Sequence, residues 1–98
     1  MGELGFSWDR KKARSNARKH GVPFEEAQTV FMDDDALLLL DDPEHSLDEK
    51  RYLLLGLSAF MRILLVSHSM PNADTIRLIN AREATHDERR QYRERLGK

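Results

Sequence analysis

Lys12, Asn16, Lys19 and His20 fall within one short basic segment. At about 100° per residue, Lys12, Asn16 and Lys19 share one stripe of a helix, Ala13 and Ala17 lie on another, and His20 falls between them. The set suits a phosphate: lysine as a point charge, asparagine as a positioning donor, histidine as a group that gains or loses a proton near neutrality. It equally fits a plain surface helix whose last cations compensate its dipole. Arg51, Arg62, Arg77 and Arg82 stand at the starts, interior or end of strand-like runs, Arg77 interrupting the apolar series Ile76, Leu78 and Ile79. Any one of them fits an exposed edge position, but four on neighbouring strands favour a common cleft, because guanidinium forks match phosphate oxygens.

Other chemistries find little support. The chain has no cysteine, so disulfides, thiolate metal sites and thiol nucleophiles are excluded. His45, His68 and His86 lack a paired ligand spacing, and Asp33, Asp34 and Asp35 read as a solvated turn; neither a metal nor any other cofactor is expected. No phosphate-cradling glycine loop or serine elbow is present. What remains is chemistry that acids, bases and cations perform unaided, of which RNA scission is an example. There the 2′-hydroxyl is a tethered nucleophile, and the protein aligns it, neutralises charge and assists proton transfer. His20 or a carboxylate such as Glu49 could act as the base.

These residues need a scaffold. Phe6 and Trp8 alternate with small residues as a short strand, and Asp9 caps a helix running to His20, which Gly21 ends. Pro23 at a first helical position, with Phe24, Ala27, Val30 and Phe31 at helical spacing, predicts a second amphipathic helix. Strands are expected at Ala36 to Leu40, Arg51 to Ser58, Arg62 to Ser69 and Thr75 to about Ala81, with a turn at Pro71 to Asp74. The fold class is α+β: a four-stranded antiparallel meander, with the Phe6 segment as an optional edge strand, two N-terminal helices and a C-terminal helix. Ile63 to Val66 is apolar on both alternating faces, so that strand should be central and covered on both sides. Thr85 and Glu88 form a capping box for a last, highly charged helix from about His86 to Leu96.

Ninety-eight residues make one domain, residues 1–98, since so short a chain buries only about two-thirds of its unfolded surface. Hydrophobic residues are 40% and charged residues 34%, a folded balance. No apolar run approaches the roughly 20 residues of a membrane helix, and no secretory signal is visible, so no membrane partner and a cytoplasmic location are expected. Net charge is −1, but Arg10 to Lys19 holds six Lys/Arg and no acid, whereas Asp33 to Glu49 holds eight acids and no Lys or Arg. That separation can steer a polyanion to one side. Two solvated charge runs are the competing reading.

The segment Phe6-x-Trp8-Asp9-x-x-Lys12-x-x-x-Asn16-x-x-Lys19-His20-Gly21-Val22-x-Phe24-Glu25-Glu26-Ala27 carries a family pattern. With it go Glu49-x-Arg51 leading to Gly56, and Ile76-Arg77-x-Ile79-x-Ala81-Arg82-x-Ala84-Thr85 with Glu88, Arg89 and Tyr92. Together they resemble the BrnT toxins of type II toxin–antitoxin systems. The resemblance implies a RelE-like fold and a growth-arresting endoribonuclease that cleaves RNA without a metal. It also implies inhibition by a BrnA-like antitoxin in a 2:2 complex that reaches operator DNA only through the antitoxin. Carried across by position, His20, Arg51, Arg77, Arg82 and Glu49 would be catalytic, and Lys12, Asn16, Lys19 and Tyr92 would bind RNA. The alternative is a non-enzymatic interaction or DNA-binding co-repressor module using the basic last helix.

Overall fold

Asp9 and Gly21 bracket the first helix, α1 (Arg10–His20). The Asp9 carboxylate accepts from the Lys11 N–H at 2.8 Å, and Gly21 (φ 70°) donates its N–H to the Ala17 carbonyl at 2.9 Å. The left-handed conformation at that cap is one that glycine adopts without penalty. In this computed structural model, residues 5–40 and 50–97 are described.

The second helix differs from expectation. Pro23 stands just outside it in an extended conformation, α2 (Phe24–Ala27) lasts one turn, and the chain then tightens into a 3-10 turn over Gln28–Met32. The Thr29 hydroxyl donates to the Glu26 carbonyl at 2.6 Å, the kind of local bond by which Ser and Thr divert a helix backbone. Its apolar stripe still enters the core, with Phe24, Ala27 and Val30 fully buried.

The sheet has five strands, the optional Phe6 edge strand being the fifth: β1 (Gly5–Ser7), β2 (Leu37–Leu40), β3 (Tyr52–Leu57), β4 (Ile63–Asn72) and β5 (Thr75–Glu83), in the order β1-β5-β4-β3-β2. β1 runs parallel to β5, with Phe6 beside Ile76, and the other pairs are antiparallel. β4 continues past the expected stop at Ser69 to Asn72, so Pro71 lies in the strand and only Ala73 and Asp74 make the turn. The Asn72 side chain accepts from the Asp74 N–H at 2.9 Å and holds that turn. The polar connection expected from Asp41 to Lys50 lies outside the described residues, except for Lys50.

Both sheet faces are packed. On one, Val22, Phe24, Ala27 and Val30 meet Leu54, Leu64, Val66, Ile76, Leu78 and Ala81. On the other, Tyr92 of α3 (His86–Gly97) packs with Leu55, Leu65 and Ala84, flanked by Leu37, Leu39, Leu53, Leu57 and Ile63. The helix begins at a formed capping box: the Thr85 N–H donates to Glu88 Oε1 at 2.8 Å, and the Glu88 N–H donates to Thr85 Oγ1 at 3.2 Å.

A half-buried carboxylate fastens α3 to the sheet. Asp33 Oδ2 accepts from the Tyr92 hydroxyl at 2.6 Å and from the Leu57 N–H at 2.8 Å. Gly56 makes the approach possible, since a Cβ there would lie 2.9 Å from Ala36 Cβ and Val30 Cγ1 and 3.1 Å from Asp33 Oδ2. Burial opposes ionisation of Asp33, but the bonds from Leu57, Tyr92 and Asp35 outweigh it and lower its pKa; burial and Asp33 together raise that of Tyr92. A lowered carboxyl pKa gives stability that is present above the unfolded value, 3.8, and lost as pH falls through the folded one. A raised tyrosine pKa gives stability present below 10.0 and lost as pH rises. Tyr92→Phe is expected to lose about 2 kcal/mol at pH 7, because the bond is charge-assisted. Urea unfolding at pH 7 and at progressively more acid pH checks it: the loss should shrink as pH falls, because Asp33 without the Tyr92 bond protonates before the wild-type carboxylate does.

Candidate active site

The bulge in β5 shapes the surface beside α1. Ser67 pairs with Asn80 but the next residue, His68, pairs with Leu78, so Ile79 is an extra residue on β5. A bulge of this kind turns two successive side chains to one side. Ile79 and Asn80 accordingly line the same depression, of about 430 Å³, with Lys12, Arg51, Leu53, Leu65, Ser67 and Arg82. A second depression, of about 370 Å³, is lined by Lys11, Lys12, Ser15, Asn16, Lys19, His20, Ile79 and Asn80. A third, of about 330 Å³, holds Ser7, Trp8, Asp9, Lys12, Arg77, Leu78 and Ile79. All three share Lys12 and Ile79 and so form one groove along the seam between α1 and β5.

This groove brings together Lys12, Lys19, His20, Arg51, Arg77 and Arg82. Lys12 and Lys19 are exposed on α1, and Arg77 is exposed on β5. Arg82 is held by Glu88: Nη1 donates to Oε1 at 2.9 Å and Nη2 to Oε2 at 3.0 Å. The Arg82 guanidinium, opposed by burial, leaves the Glu88 pKa lowered, so the pair is charged at neutral pH. Glu88 also caps α3 through Thr85, so the start of that helix fixes the direction in which Arg82 points. Glu49 lies outside the described residues.

Two expected RNA contacts are corrected. Asn16 is buried, and its amide is committed to backbone: Nδ2 donates to the Val22 carbonyl at 3.0 Å and the Ala81 carbonyl at 2.8 Å, and Oδ1 accepts from the Ala81 N–H at 3.1 Å. It sutures α1 to β5, with both amide donors and one of the oxygen's two lone pairs committed to backbone. Tyr92 is likewise buried, with its hydroxyl given to Asp33, and belongs to the second core.

Arg62, expected among the converging cations, goes elsewhere. Its guanidinium pairs with Glu26, donates to Glu83 Oε2 at 2.9 Å and reaches the Gly21 carbonyl at 3.0 Å. It is a structural clamp, and Glu26 is almost wholly buried beneath it.

A family model described as "Ribonuclease toxin, BrnT, of type II toxin-antitoxin system" matches residues 8–88, most of the chain. The chain belongs to the BrnT toxin family. Among solved structures it is similar to the Brucella abortus ribonuclease toxin BrnT, determined at 1.1 Å. The TM-score is 0.64 at 18% identity, with 88% of this chain and 100% of that chain covered. No curated protein matches. BrnT family membership makes the chain a ribonuclease toxin and implies an antitoxin partner. Among the described residues, no three His, Cys, Asp or Glu side chains are grouped to hold a metal ion, and no helix is long and apolar enough to cross a membrane.

Sequence reasoning missed Ser67, Ile79 and Asn80 as groove residues. Ser67 and Ile79 read as ordinary strand positions, and the bulge that exposes Asn80 depends on the register between β4 and β5. The only local hint was Asn80 itself, a residue depleted in strands, standing between Ile79 and Ala81.

Proposed function

We propose that the chain is a metal-independent endoribonuclease whose active site is the groove between α1 and β5. The observation that carries this reading is the position of Lys12, which lines all three depressions and joins the arginines of the sheet to Lys19 and His20 of the helix. Lys12, Arg51, Arg77 and Arg82 would hold phosphate oxygens and offset the charge that builds as the 2′-oxygen attacks phosphorus. The 2′-hydroxyl proton passes to a base, the 5′-oxygen leaves and takes up a proton, and the products carry 2′,3′-cyclic phosphate and 5′-hydroxyl ends. His20, placed in the depression adjoining Arg51 and Arg82, is our choice for a proton-transfer group; Glu49 is the second candidate.

The groove also fits the type of substrate. Cations line each of its three depressions, Lys12 and Lys19 in one, Lys12 and Arg77 in another, and Lys12, Arg51 and Arg82 in the third, as a polyanionic strand needs. We read the arrangement as RelE-like, and the protein as one cytoplasmic domain that arrests growth until a BrnA-like antitoxin binds in a 2:2 complex. Phe60, Met61 and Met32 are large exposed apolar side chains that such a partner could cover. The test is incubation of the purified chain with single-stranded RNA in EDTA, with and without the antitoxin. Cleavage to cyclic-phosphate ends, stopped by the antitoxin, is the expected result; cleavage that EDTA abolishes would contradict the metal-independent chemistry.

A further inference from the structure

Between its cations the groove is not cationic. Leu53, Leu65 and Ile79 give it an apolar surface, and Ser67 and Asn80 stand opposite each other on β4 and β5. Asn80 is exposed and lines two of the depressions, the one holding Arg51 and Arg82 and the one holding His20. Among the described residues neither the Asn80 amide nor the Ser67 hydroxyl is engaged in a hydrogen bond. The bulge puts Asn80 there, since with strict alternation Ile79 and Asn80 would face opposite sides of the sheet.

A phosphate oxygen only accepts hydrogen bonds, and Lys12, Arg51 and Arg82 already supply charge and donors for it. An amide with both a donor and an acceptor, beside an apolar shelf, answers a different need. Single-stranded RNA offers splayed bases whose flat faces pack on side chains and whose edges hydrogen-bond. We infer that Asn80, with Ser67 opposite it, reads the edge of the base next to the scissile phosphate and so sets which RNA sequences are cut. The inference rests on the groove being the cleavage site.

The experiment is cleavage of a pool of single-stranded RNA carrying a randomised segment, with the new 5′ ends mapped by sequencing. It is run for the wild type, Asn80→Ala, Asn80→Asp, Ser67→Ala and Lys12→Ala, each first shown to melt like the wild type. The wild type should favour one base at a fixed position beside the cut, and Asn80→Ala should flatten that preference by roughly tenfold or more, the scale of one lost two-point base contact. Asn80→Asp keeps the size and removes the donor, so it should move the preference rather than merely slow the reaction. A profile unchanged in both Asn80 variants overturns the inference, and so does a wild type that cuts without base preference. If Lys12→Ala slows cleavage while the Asn80 profiles stay unchanged, base reading falls and the groove stands. If the wild type cuts no RNA, both fall together.

Discussion

Lys12→Ala is expected to slow cleavage of single-stranded RNA by about a hundredfold with little change in stability. The magnitude follows from what one preorganised donor aimed at developing negative charge contributes, roughly 10²–10³ in rate. The absence of a stability effect follows from position: Lys12 is exposed on the helix surface, whereas Ala13 packs against the core and Asn16 holds α1 to β5. The control is Arg93→Ala on α3, which removes one exposed positive charge away from the groove. Single-turnover rates at two salt concentrations separate the cases. If loss of charge anywhere weakened RNA steering, both variants would slow together and the difference would fade with salt. The groove reading requires the Lys12 effect to persist and Arg93→Ala to stay within a few-fold of the wild type.

Arg62→Ala should have the largest effect on folding, a loss of about 3 kcal/mol, as when one partner of a buried ion pair is removed. The Glu26 side chain is 1% exposed, while that of Arg62 is 31% exposed, so the deletion strands a buried carboxylate rather than an exposed cation. Among the described residues Glu26 would then keep the Ser58 hydroxyl alone, which donates to Oε2 at 2.7 Å. In the wild type the Arg62 guanidinium, against the pull of burial, keeps the Glu26 pKa below its usual 4.5. The pair therefore contributes above that value and its contribution is lost as pH falls through the folded pKa. Glu26→Gln combined with Arg62→Ala should recover part of the loss, because no charge is left buried. Urea denaturation of the two single variants and the double variant measures it. A loss below about 0.5 kcal/mol for Arg62→Ala would mean that the pair behaves as an ordinary surface bridge.

The Arg62 outcome sets one arginine apart from three others in a way that composition and spacing could not. Arg51, Arg62, Arg77 and Arg82 look alike in the sequence, each at a strand end or within an apolar run. Arg62 parts from the others because Glu26, thirty-six residues earlier in the chain, is delivered beneath it by α2. Features set by near neighbours were legible: the Asp9 cap, the Gly21 stop, the Thr85 and Glu88 box and the two-sided burial of β4 all rest on residues within a few positions of each other. Features set by distant partners were not. The firm pairing of β1 with β5, the suture from Asn16 to Ala81 and the bond from Tyr92 to Asp33 join residues about sixty or more positions apart. Asn16 and Tyr92 carry polar groups that suit RNA, so position in sequence suggested contact where the fold uses them internally. The convergence of Lys12, His20, Arg51, Arg77 and Arg82 was an expectation from residue type, and the bulge at Ile79 is the feature that adds Asn80 to it.

The central claim is that RNA lies in the groove between α1 and β5. The most direct measurement is amide chemical-shift mapping with a single-stranded RNA methylated at its 2′-oxygens, which keeps the backbone charge but blocks the nucleophile. The account predicts that the largest shifts fall on Lys12, Ser67, Ile79, Asn80 and Arg82. Shifts confined to the outer face of α3, around Arg90 and Arg93, would contradict it.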